Sequence, residues 1–161
     1  MKIRTLGCFF VAVFMLLCVN QAHADDLNKN IFVSNAWVQA MPPSQKITAA
    51  YMVIANNSTK QAVLMSASSP MADATEIHQM SQINGMMNMN MVSHVRIPAL
   101  GKVELKQGGY HLMLINLKKP VNKGDMVEIT LHFQDGSHIM VKAVVKMQAA
   151  DDSAAMSGMK M

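Results

Sequence analysis

Cysteine is scarce: the chain of 161 residues holds two, Cys8 and Cys18, both within its first two dozen positions. A disulfide framework for the rest of the chain is therefore excluded, and so is any thiolate metal site there. Charge of one sign is equally lacking. Once Lys2 and Arg4 are set aside, 12 Lys and Arg face 10 Asp and Glu with no basic run, so nucleic acid and anionic membrane surfaces are poor partners. Gly108-Gly109 is followed by no lysine and helix in P-loop fashion, and no nucleophile and base stand in a recognisable pair, which leaves an enzyme as the least favoured class.

One long apolar run exists, and it opens the chain. Lys2 and Arg4 precede the stretch from Leu6 to Val19, and Ala22-His23-Ala24 follows as a small-x-small tripeptide. This is the layout of a cleavable signal peptide rather than a membrane span, with cleavage expected after Ala24. Leu17 stands where a small residue normally precedes a lipidated cysteine, so Cys18 is not read as a lipid anchor. The reading divides the chain into a signal peptide over 1–24, one domain over 25–147, and a tail over 148–161 that loses all periodicity and is expected to be disordered. The exported chain is expected in the periplasm, as a monomer without stable membrane insertion.

Methionine is abundant instead, with 18 in the chain. Met52, Met65, Met126 and Met140 read as flexible fillers of core gaps, and Met86 as core-facing. Between Ile31 and Lys146 the pattern is of short strands broken by Pro42-Pro43, Asn56-Asn57-Ser58, Asn84-Gly85, Gly108-Gly109 and Asp135-Gly136. An all-β sandwich or small barrel follows. Its clearest strand is Asp125 to Phe133, where Val127, Ile129, Leu131 and Phe133 share a face, and its partner runs from Ser137 to Lys146. Trp37 and Tyr51 read as core anchors, and His94, His132 and His138 as surface residues.

Two segments repeat a theme: Glu76-Ile77-His78-Gln79-Met80 and Tyr110-His111-Leu112-Met113. In a strand, residues i and i+2 point to one face roughly 6.5–7 Å apart, so each segment offers an imidazole beside a thioether. Between them lies Met86-Met87-Asn88-Met89-Asn90-Met91, introduced by the hairpin signal Asn84-Gly85. A two-residue turn there pairs Ile83 with Met86, Met80 with Met89 and His78 with Met91, and puts His78, Met80, Met87, Met89 and Met91 on one face. Thioether and imidazole donors select copper, Cu(I) above all, whereas calcium and magnesium want oxygen and structural zinc usually wants thiolate. Blue-copper electron transfer uses a cysteine that this domain lacks, so carriage is favoured over redox work.

At these residues the chain resembles the periplasmic copper chaperones written PCu(A)C, whose motif is His, ten residues, Met, twenty-one residues, His-x-Met. Counting from His78 reaches Met89, then His111 and Met113. The resemblance extends over Ala36-Trp37-Val38, Pro42-Pro43, Ala49-Ala50-Tyr51, Val103-Glu104-Leu105, Gly108 to Met113 and Lys123-Gly124-Asp125. It implies a cupredoxin-like Greek-key β fold, a Cu(I) site built from His78, Met89, His111 and Met113, and a copper-accepting partner such as the cytochrome oxidase subunit that holds the CuA centre, or another copper chaperone. Met80, Met86, Met87 and Met91 are additions to the family pattern. Of these, Met80, Met87 and Met91 read as auxiliary donors, while Met156, Met159 and Met161 form a weak tail pattern for a further Cu(I) ion. Two other readings stay open at this point: a copper-sequestering resistance protein, and a metal-free immunoglobulin-like interaction module with a sticky methionine surface.

Overall fold

The computed structural model describes residues 29–83 and 85–147. The expected signal peptide and the tail methionines Met156, Met159 and Met161 lie outside them. Ten strands follow in order: β1 (Ile31–Gln39), β2 (Ile47–Asn56), β3 (Ala62–Ser68), β4 (Ala72–Ile83), β5 (Met86–Met91), β6 (Val95–Ile97), β7 (Gly101–Leu105), β8 (Tyr110–Leu117), β9 (Met126–Phe133) and β10 (His138–Lys146). They hydrogen-bond into one open sheet in the order β5-β4-β8-β7-β2-β1-β10-β9-β3-β6, with a further β8–β2 pairing. The sheet folds back so that β3 packs against β4 and β6 against β7. Buried side chains from both halves, among them Ile54, Leu64, Ile77, Leu112, Leu114, Ile129 and Leu131, form a single apolar core. The all-β, cupredoxin-like expectation holds.

The alternation that marked β9 is realised: Val127, Ile129, Leu131 and Phe133 are buried, and the residues between them are not. Because side chains alternate with period two, one buried residue commits its neighbours to the outer face. That rule corrects several readings of methionine. Met52 is buried at 2% exposure, but Met126 and Met140 fall on outward positions at 57% and 60%, and Met65 sits exposed where the β3–β9 register shifts. An unbranched thioether is tolerated on either face, so composition alone does not place it. Trp37 is likewise only partly buried rather than core, while Tyr51 is buried as expected.

Three local features shape the edge bearing the repeated theme. The β4–β5 hairpin turns at Gly85, whose φ of 81° is open to glycine and strained for other residues. Its register is the one expected, Ile83 opposite Met86, Met80 opposite Met89, His78 opposite Met91. All six residues of β5 are exposed, so Met86, at 67% exposure, meets solvent and not the core.

The second feature is an interruption. Strand β2 pairs antiparallel first with β8, Ala50 opposite Leu112, and then with β7, Met52 opposite Leu105. The intervening residues 106–109 leave the sheet in a tight excursion, closed by Gly109 N–H donating to Lys106 O at 3.1 Å and helped by Gly108 at a φ of 73°. The third feature follows from it. Gly109 O accepts the Met80 N–H at 3.0 Å, which swings the start of β8 onto β4 and sets His78 directly opposite His111.

Candidate metal centre

Ile77 of β4 and Leu112 and Leu114 of β8 point into the core, which turns Glu76, His78, Met80, His111 and Met113 to the other face. On that face the pairings form rows. Met91, His78 and His111 stand side by side on β5, β4 and β8; Met113 stands opposite Glu76; Met89 stands opposite Met80. Val92 N–H donates to Ile77 O at 2.9 Å, which makes 77/92 a hydrogen-bonded pair and leaves His78/Met91 and Met80/Met89 at the closely spaced positions between bonds.

The two imidazoles have ring centroids 5.9 Å apart. Tyr51 lies on the far side of His111 at 6.4 Å, and Trp37 packs on Tyr51 at 4.6 Å. Burial pushes the Tyr51 phenol above its usual range, partly offset by a hydrogen bond with the Gln107 side chain, so the ring stays neutral. His111 is only 3% exposed, with the Tyr51 and His78 rings both near it.

Hydrogen bonds fix which nitrogen of each ring carries a lone pair. His111 Nδ1–H donates to Gly109 O at 3.1 Å, leaving Nε2 bare. His78 Nε2–H donates to Glu76 Oε2 at 2.8 Å, leaving Nδ1 bare, and that Nδ1 is buried with no hydrogen-bond partner. A buried unpaired acceptor is costly, and a bound cation is one way to satisfy it. A carboxylate or carbonyl behind a histidine is also the usual support of a metal-ligating imidazole.

The structure thus brings together His78, His111, Met80, Met91 and, opposite Glu76, Met113; Met89 lies one diagonal step from His78, and Met87 pairs with Gln82 toward the hairpin tip. Met89, Met91 and Met87 are exposed at 49%, 66% and 55%, a rim of thioethers around the imidazoles. Among the described residues no group of three or more His, Cys, Asp or Glu is placed to hold a metal, and the side chains paired or diagonal to the two imidazoles on β4, β5 and β8 include the thioethers of Met89, Met91 and Met113. Sequence reasoning gave Glu76 no role and read Tyr51 only as a core anchor. Glu76 had a signal, since two residues before His78 in a strand is the same face.

The LpqE-like lipoprotein family model matches residues 31–145. The protein Lxx21020 of Leifsonia xyli subsp. xyli is 36% identical over 115 residues, covering 71% of this chain and 68% of its own length. RP573 of Rickettsia prowazekii is 30% identical over 107 residues, covering 66% of this chain; the chain spans 57% of that relative. Among solved structures, Cu(I)-bound DR1885 of Deinococcus radiodurans is 36% identical over 80% of this chain and 86% of its own, with a TM-score of 0.62. The copper-bound PCuAC domain from PmoF2 shares the fold at a TM-score of 0.62 and 21% identity, covering 73% of this chain and 93% of that one. No helix among the described residues is long and apolar enough to cross a membrane. Fold and matched length agree, and the chain belongs to the LpqE-like family, the family of PCuAC domains.

Proposed function

We propose that this protein is a copper chaperone that carries one Cu(I) on His78, Met89, His111 and Met113 and passes it to an acceptor, the CuA centre of cytochrome oxidase being the expected destination. The observation that carries the reading is the side-by-side pair His78/His111, each with a bare nitrogen, set beside a rim of thioethers. Copper in DR1885, a relative 36% identical to this chain, supports it. The reading includes export to the periplasm on the N-terminal segment, action as a monomer, and no catalytic chemistry.

The donor set explains carriage. Thioethers and neutral imidazoles need no deprotonation to accept the ion, and they hold Cu(I) softly. Met80 pairs with Met89, Met91 pairs with His78, and Met87 lies two residues from Met89, so a leaving ligand has a thioether beside it to replace it. Transfer then proceeds by stepwise exchange, with the acceptor entering from the exposed β5 side.

Calorimetry with and without Cu(I) tests the reading. A ligand that binds only the folded chain stabilises it by linkage, so free Cu(I) at 100 times its dissociation constant raises stability by about 2.7 kcal/mol. No rise in melting temperature would end the proposal. Glu76 supplies a second check, since Glu76→Gln keeps the shape but weakens the hydrogen bond that orients His78. Cu(I) affinity is expected to drop about 10- to 100-fold in a chelator competition, the usual loss when a ligand's supporting partner is changed.

A further inference from the structure

We propose that the outer face of the β9–β10 hairpin is a second, independent copper site, formed by His132, His138 and Met140 and suited to Cu(II). His132 and His138 are direct cross-strand partners. Phe133 N–H donates to Ser137 O at 2.9 Å, so the next pair outward, His132/His138, occupies the closely spaced position between bonds, where side chains approach nearest. Their ring centroids are 6.5 Å apart with planes at 38°, against 5.9 Å and the same 38° for His78/His111.

The sequence repeats the parallel. His138-Ile139-Met140 is a His-x-Met in a strand, as His111-Leu112-Met113 is, and each places a thioether two residues from a histidine that faces another histidine across the ladder. Val127, Ile129, Leu131 and Phe133 take the core side of β9, so His132 projects outward, half-buried, beside the exposed His138 and Met140. Ser68 of β3 holds the His132 ring through a 2.9 Å contact between its hydroxyl and Nε2. Trp37 and Val38 of β1 pair with Val144 and Val145, beyond this stretch of β10, so His138 and Met140 stay open to solvent.

The chemistry differs from the first site in a way that chooses the ion. Met140 lies two residues from His138 and Met65 is exposed at the bulge beside Ser66, the β3 partner of His132, while among the described residues no group of three His, Cys, Asp or Glu is placed to build a zinc cage. A pair of adjacent imidazoles with open positions for water suits tetragonal Cu(II), the divalent ion of highest affinity in the first-row series, with Met140 as a weak axial donor.

The test is a Cu(II) titration of the full chain followed by electron paramagnetic resonance and a competing chelator, with folding checked by circular dichroism. The wild type is expected to show one Cu(II) with two-nitrogen hyperfine structure. That signal persists when His111 and Met113 are both replaced by alanine, which separates this site from the one proposed above. His132→Ala and His138→Ala each weaken Cu(II) by about tenfold or more, since losing a ligand costs at least as much as disturbing a ligand's support. A smaller change in both variants, or loss of the signal in the His111/Met113 variant alone, overturns the proposal. His138 is exposed, so His138→Ala is the decisive variant should His132→Ala disturb packing against Ser68.

Discussion

Replacing His111 and Met113 together by alanine lowers Cu(I) affinity on the order of a thousandfold, well beyond the 10- to 100-fold typical of disturbing a ligand's support. The pair supplies one of the two imidazoles and the thioether of β8, and no other residue of β8 on that face bears a donor of either kind. Ile115, the next residue facing the same way, is aliphatic, so the ion cannot slide along the strand to recover. Far-UV circular dichroism is expected to stay that of the wild type, because Leu112 and Leu114 hold β8 in the core independently. A competition assay in which the double variant keeps wild-type affinity would refute the assignment of these ligands.

The second large effect is on the fold. Leu114 is fully buried on β8, opposite Thr48 of β2 and Thr75 of β4. Leu114→Ala removes three carbons from a close-packed centre and leaves a cavity, a loss of about 2–5 kcal/mol. In a domain of this size that is a fall in melting temperature of about 10 °C or more. The folded fraction still binds copper with unaltered affinity, since Leu114 points away from His111 and Met113. The two variants therefore separate cleanly: one loses metal and keeps its fold, the other loses stability and keeps its donors. Urea denaturation alongside copper titration distinguishes them.

Much of the edge was legible because one turn determined it. Asn84-Gly85 dictates a two-residue loop, and from that loop every pairing between β4 and β5 follows by counting. The juxtaposition of His78 and His111 was not legible from local chemistry, since it depends on residues 106–109 leaving the sheet between the two stretches that flank β2. Only the likeness of the spacing to a known family motif anticipated it. The exposed methionines were misjudged for a simpler reason: burial follows strand phase and position at the sheet's end, and methionine's own preferences are too weak to betray either. His132 and His138 were each read as surface residues, but their pairing rests on a loop of three residues after Phe133, where a loop of two would have slid the register by one and parted them.

Strand order has a last consequence. His78 and His111 are neighbours across a ladder, yet 32 residues separate them in the chain, and that span includes β6, which pairs with β3 at the other end of the sheet, and β7, which pairs with β2 and β8. Neither imidazole meets the other until the polypeptide has wound through most of its topology. On the proposed reading, a chain that has not yet folded offers only scattered donors, and the capacity to load Cu(I) arrives with the completed tertiary structure.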